Sequence, residues 1–171
     1  MKEILLEEYK VLKSEQLERI KHRDNIVYVL LGAVGTLFSF AIIHKATYVV
    51  AITPMISFVL CWLYLANDRK ISEIGTYISE DLSEKLSALI GEKKVFYWER
   101  KHKTYSGRKT RKMIQYIVDL LIFAFPALGG LLMVSTQANS GYIVFLDTLF
   151  LIGIIILFIV HYSNKKITHE E

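Results

Sequence analysis

Two aspartates interrupt long apolar runs of this chain, Asp119 within Met113–Val134 and Asp147 within Tyr142–Tyr162. A carboxylate in such a setting is expensive to desolvate, so it normally faces a helical bundle or a water-filled path. Asp119 therefore supports two chemistries. It can line a path and attract cations or hold a proton, or it can tie one helix to its neighbour. Asp24 and Asp68, at the ends of two further apolar runs, fall at a similar depth, together with Arg23, Asn67 and Arg69. Asp24, Asp68 and Asp119 would then form a charged ring at one mouth of the bundle. Repeated carboxylates attract cations in channels, whereas pairing with the arginines would only lock the helices. Asp147, a turn or two from Gly141, reads as an interfacial cap or a hydrogen bond to a neighbouring helix. Helices of opposite direction would keep it from meeting Asp119.

No catalytic set emerges beside these acids. His22, His44, His102, His161 and His169 are scattered without metal-ligand spacing, and no phosphate loop or nucleophile elbow occurs. Cys61 is the single cysteine, which excludes an internal disulfide and a cysteine metal site. The expectation is a protein with no cofactor, no metal and no enzymatic activity.

Residues 92–112 have a different character. Nine lysines and arginines stand against Glu92 and Glu99, with Phe96, Tyr97, Trp98 and Tyr105 interleaved. Val95–Trp98 could form a short strand and Ser106-Gly107 a turn. Such a mixture can bind nucleic acid. The segment also runs straight into an apolar block, where basic residues meet anionic headgroups and tryptophan settles at the interface. Lipid is the stronger reading, with Arg108, Lys109, Arg111 and Lys112 as headgroup contacts.

The elements that position these residues are four apolar blocks, at Ile26–Ile43, about Tyr48–Ala66, Met113–Val134 and Tyr142–Tyr162. Of the 171 residues 53% are hydrophobic and 22% charged, and the charges fall almost entirely between the blocks. A soluble core would interleave the two at helical or strand period. Each block has roughly 20 residues, enough to cross ~30 Å of hydrocarbon. Basic residues decide the orientation. The link after the first block holds only Lys45 and the link 135–141 holds none, while Arg19, Lys21 and Arg23, twelve residues between Arg69 and Lys112, and Lys165-Lys166 crowd the other side. The fold expected is an all-α membrane protein with four transmembrane helices and both termini in the cytoplasm. The early charges Lys2 and Glu3 argue against a cleaved signal peptide.

This divides the chain into a cytoplasmic amphipathic helix (1–24), a transmembrane hairpin (25–66), a cytoplasmic helix with the basic segment (67–112), a second transmembrane hairpin (113–163) and a tail (164–171). Leu5, Tyr9, Leu12, Gln16 and Ile20 recur at helical spacing, as do Ile71, Ile74, Ile78, Leu82, Leu86 and Leu89 up to a capping Gly91. Two such stripes leaving neighbouring spans predict a cytoplasmic helical hairpin. The first helix either continues into its span or restarts at Asp24-Asn25. Gly32, Gly35 and Ser39 share a face that lets another helix approach closely, within or between protomers. Pro126 with Gly129-Gly130 predicts a kink or loosening in the third span, and Pro54 begins or bends the second.

The run Cys61-Trp62-Leu63-Tyr64-Leu65-Ala66-Asn67-Asp68-Arg69-Lys70-Ile71-Ser72-Glu73-Ile74-Gly75-Thr76-Tyr77-Ile78, with Arg23-Asp24-Asn25 and Phe96-Tyr97-Trp98-Glu99, resembles a widespread family of small bacterial integral membrane proteins. The resemblance implies the topology and carries no activity. The architecture is also similar to small multi-span effectors of anti-phage systems, which open or disrupt the inner membrane when a cytosolic sensor signals. The expectation is a homo-oligomer of the bacterial inner membrane that meets anionic lipid and a cytosolic protein partner, and forms or gates a permeation path. The rival is a non-conducting anchor or scaffold.

Overall fold

The computed structural model describes residues 1–91, 108–137 and 140–167, with the backbone alone for 108, 109 and 164–167. Every element among them is helical. Helix α1 spans Lys2–His44, a 3₁₀ turn covers Thr47–Ile52 and α2 spans Thr53–Tyr77. A π-helical turn at Ile78–Leu82 leads into α3, Ser83–Ile90; α4 spans Arg108–Ser135 and α5 Gly141–Ile167. The expected strand at Val95–Trp98, the turn at Ser106-Gly107 and the link 92–107 lie outside the described residues.

Four helical stretches are long and apolar enough to cross a membrane. Their surfaces agree with a lipid environment. Tyr28, Ile42, Ile43, Phe125 and Tyr142 are each at least 70% exposed, a density of open apolar surface that a water-soluble monomer does not carry.

Helix α1 settles the question that its sequence leaves open. It passes Asp24 and Asn25 without a break, so neither residue caps a new start. Pro54 begins α2 rather than bending it, at the first turn where its missing N–H costs nothing. Pro126 is buried within α4, which continues through it as one helix. Gly91 closes α3 as expected. It adopts φ 72°, a left-handed conformation suited to glycine, and donates its N–H to the Ser87 carbonyl at 2.9 Å.

The chain divides into two compact units. One comprises Met1–Arg23 and Ala66–Met113. Here Leu5, Tyr9, Leu12, Gln16 and Ile20 are half-buried, and Ile78, Leu82 and Leu86 are buried. The expected second stripe is therefore present as far as Leu86, but Leu89 is 51% exposed. Ile74, Ile78, Leu82 and Leu86 are spaced by four, which slips steadily around a 3.6-residue helix. The wider π turn absorbs part of that slip and keeps Leu82 and Leu86 on the buried face.

The other unit comprises Asp24–Leu65 and Ile114–Glu171. Its centre is packed by Ile26, Leu30, Cys61, Tyr64, Leu65, Phe123, Ala127, Ile154 and Phe158. Aromatic rings run through it: Tyr64 lies 5.3 Å from Phe123, Phe123 6.4 Å from Phe158, and Phe158 5.5 Å from Tyr116. Glycines fix the close approaches. A Cβ on Gly129 would stand 3.3 Å from the Phe38 ring, one on Gly130 2.9 Å from the Val50 carbonyl oxygen, and one on Gly153 2.7 Å from the Phe58 ring.

These contacts give direction as well as distance. Tyr64 meets Phe123 while Thr53, earlier in α2, meets Gly130, later in α4, so α2 and α4 are antiparallel. The short link 136–140 makes α4 and α5 antiparallel as well. Hence α5 runs parallel to α2.

Candidate functional site

The carboxylates expected at a mouth of the bundle occupy unequal environments. Asp24 is exposed on α1, whereas Asp119 is half-buried on α4. Asp68, on α2, accepts a hydrogen bond from Arg23 Nη1 at 3.2 Å, and the two side chains are only 15% and 20% exposed. Within this unit the pair ties α1 to α2.

Two further ties join the same helices. Gln16 Nε2 donates to the Ile71 carbonyl at 3.1 Å, and the Tyr77 hydroxyl donates to Glu8 Oε1 at 2.7 Å. The Glu8 carboxylate accepting that bond holds the Tyr77 phenol above its usual range, with burial and nearby charge adding to the effect. On the open face of α2, Glu73 accepts from Lys70 at 2.8 Å and Arg69 at 2.9 Å, and these cations lower its carboxyl.

The small face of α1 is open. Gly32, Gly35 and Ser39 are exposed, and a Cβ at either glycine would meet nothing within 4 Å. Among the described residues no other helix covers it, and the close packing falls instead on Gly129, Gly130 and Gly153. Thr36 beside it donates to the Gly32 carbonyl at 2.8 Å, so its hydroxyl needs no outside partner. Arg108 opens α4 and Lys109 follows; Arg111 is exposed and Lys112 half-buried.

In the core Asp147 belongs with two hydroxyls that its sequence position does not connect to it. Thr53 and Ser57 are fully buried and Asp147 is 3% exposed. Thr53 Oγ1, Ser57 Oγ and Asp147 Oδ2 are each buried without a hydrogen-bond partner. The cap or interhelical hydrogen bond expected for Asp147 does not reach that oxygen. Thr53 and Ser57 are one turn apart on the buried face of α2, continued by Cys61 and Tyr64. In an apolar run, hydroxyls normally satisfy themselves on the preceding turn, as Thr148 does on Val144 at 2.7 Å. Sequence gave no sign that Thr53 and Ser57 would not. Among the described residues no group of His, Cys, Asp and Glu side chains is placed to hold a metal ion.

Four helices long and apolar enough to cross a membrane, around an aromatic-filled centre, are the architecture of a multi-pass membrane protein. Comparison with known proteins takes the class no further: no family model, curated protein or solved structure matches the chain. The resemblance rests on residues 61–78, 23–25 and 96–99 alone.

Proposed function

We propose that this chain is a homo-oligomeric protein of the bacterial inner membrane, with both termini and the 67–112 link in the cytoplasm. The cytoplasmic parts of α1 and α2 form a helical hairpin that receives a signal or a protein partner. The spans then open or gate a permeation path, or disrupt the bilayer. The observation that supports this most is the unbroken course of α1 from Lys2 to His44. Helical backbone geometry runs through Asp24-Asn25, where the sequence offers a fresh start.

The path lies between protomers, because Tyr64, Phe123 and Phe158 fill the centre of a single one. Asp119 supplies a carboxylate from each protomer, so the path favours cations. Arg111 and Lys112 seat the cytoplasmic entry of α4 among anionic headgroups, at about 1 kcal/mol per charge.

The test is cation flux from liposomes holding the intact chain, before and after addition of the products of its neighbouring genes. Asp119→Asn should lower cation selectivity while assembly persists. A second reading has its own support. The Arg23–Asp68 pair ties α1 to α2, as in a rigid anchor that recruits a cytosolic partner and conducts nothing. Absence of flux under every stimulus would establish that reading.

A further inference from the structure

Three buried oxygens without partners, on two parallel helices, need a common explanation. Phe58 on α2 packs against Phe150 on α5, with ring centroids 5.7 Å apart, and lies over Gly153. Thr53 precedes Phe58 by five residues, about 7.5 Å along the helix axis, while Asp147 precedes Phe150 and Gly153 by three and six, about 4.5–9 Å. The two residues are therefore level in the bundle. Ser57 follows Thr53 by one turn on the same face. Asp147 heads a stripe on α5 that continues through the buried Ile154 and Phe158, the stripe that packs with Cys61, Tyr64 and Leu65 of α2.

The third wall is α4. Gly130 brings the α4 backbone close to this part of α2: a Cβ there would stand 3.1 Å from the Thr53 Cβ and 2.9 Å from the Val50 carbonyl oxygen. A charged carboxylate oxygen such as Asp147 Oδ2 is costly to keep buried without a partner. Nor do the three oxygens satisfy one another, since none has a hydrogen-bond partner.

We propose that Asp147, Thr53 and Ser57 form a binding site for a sodium-sized monovalent cation within the outer half of the bundle. All the donors are hard oxygens, the type that such ions select. A hard cation holds its ligands at roughly 2.3–2.6 Å, so they surround it while standing farther from one another than hydrogen-bonded oxygens do. One carboxylate balances one positive charge, whereas a divalent ion would leave a net charge buried. The hydroxyls then turn their lone pairs to the ion. The site stands apart from Asp119, and does not require that the protein conduct.

Two measurements on the purified full-length chain test this, both at fixed pH and ionic strength. Thermal unfolding in sodium chloride against choline chloride should show a midpoint that rises and saturates with sodium. Ser57→Ala and Thr53→Val should each raise the sodium concentration at half-effect at least tenfold, and Asp147→Asn should abolish the response. Labelling of Asp147 by an apolar carbodiimide, read by mass spectrometry, should be suppressed by sodium and not by choline. That reading uses the unaltered chain, so it stands even if Asp147→Asn fails to fold. Equal midpoints and equal labelling in the two salts would overturn the site, leaving Asp147 as a buried protonated acid. Sodium stabilisation that persists undiminished in Ser57→Ala and Thr53→Val would overturn it too.

Discussion

Gln16 and Ile71 are joined across 55 positions of sequence: the Gln16 amide nitrogen donates to the Ile71 carbonyl at 3.1 Å. The same nitrogen stands 3.3 Å from where a Cβ on Gly75 would be. Gly75, the strongest helix breaker in this part of α2, thus gives the amide room to reach its acceptor.

Gln16→Met keeps the length of the side chain and removes the donor. The Ile71 carbonyl lies within α2 and retains its helical bond, so no acceptor is orphaned and the cost should stay near the neutral value, about 1 kcal/mol. Hydrogen exchange is the sharper readout. Amides of residues 78–86 should exchange faster, while those around Phe123 should not change. Unchanged protection over 78–86 would mean that the amide only decorates the contact.

Arg23 and Asp68 offer a charge test of the same pairing of helices. With side chains 20% and 15% exposed, the pair is less screened than a surface bridge but not fully desolvated. Asp68→Asn should therefore destabilise by about 1–3 kcal/mol, below the cost of breaking a wholly buried pair. A double-mutant cycle with Arg23→Gln should return a coupling of at least about 0.5 kcal/mol. Strict additivity would show that each side chain is held by other neighbours.

The Tyr77–Glu8 bond sets a pH dependence whose sign follows from the raised phenol. A folded-state value above the unfolded one, about 10, means that the neutral phenol is favoured in the fold. Its stabilisation is fully present below the unfolded value and is lost as pH rises through the folded one. Unfolding midpoints of the intact chain and Tyr77→Phe should differ by a constant amount from pH 7 to 9, then converge above pH 10. The open-faced Glu73 works in the opposite direction. Its lowered carboxyl contributes above its ordinary value, and the contribution is lost on acidification.

Much of this architecture is legible from residue order. Long apolar runs mark four helices, because hydropathy over a span-length window needs no tertiary knowledge. Gly91 was readable because a left-handed cap suits glycine and few other residues. The continuity of α1 was not, since Asp24-Asn25 is a fair cap that tertiary packing overrides. The roles of glycines divided in the same way. Spacing singled out Gly32 and Gly35, yet Gly130 and Gly153 carry the close approaches, which depend on the partner helix presenting Val50 and Phe58. Thr53 and Ser57 escaped because a buried hydroxyl usually bonds within its own helix, and spacing cannot reveal one that does not.

That division of the glycines separates packing inside a protomer from assembly between protomers. A methyl group at position 130 would press on main chain, 2.9 Å from the Val50 oxygen and 3.1 Å from the Thr53 Cβ. Neither atom can swing away, so Gly130→Ala should cost about 1–3 kcal/mol by overpacking and lower the unfolding midpoint without changing the assembled mass. Gly153→Ala meets the Phe58 ring at 2.7 Å, and that ring is held against Phe150, so a similar loss is expected. Gly35→Leu is the opposite case, because its side chain would enter open space. The protomer's own stability should hold, or rise by the about 1 kcal/mol that helix propensity returns when glycine is replaced within a helix. If the face of Gly32, Gly35 and Ser39 meets a second protomer, the leucine holds the backbones apart, and native mass measurement should show smaller assemblies from an intact fold. Unchanged mass for Gly35→Leu would assign that face to lipid and move the search for the protomer interface to the exposed apolar rows of α4 and α5.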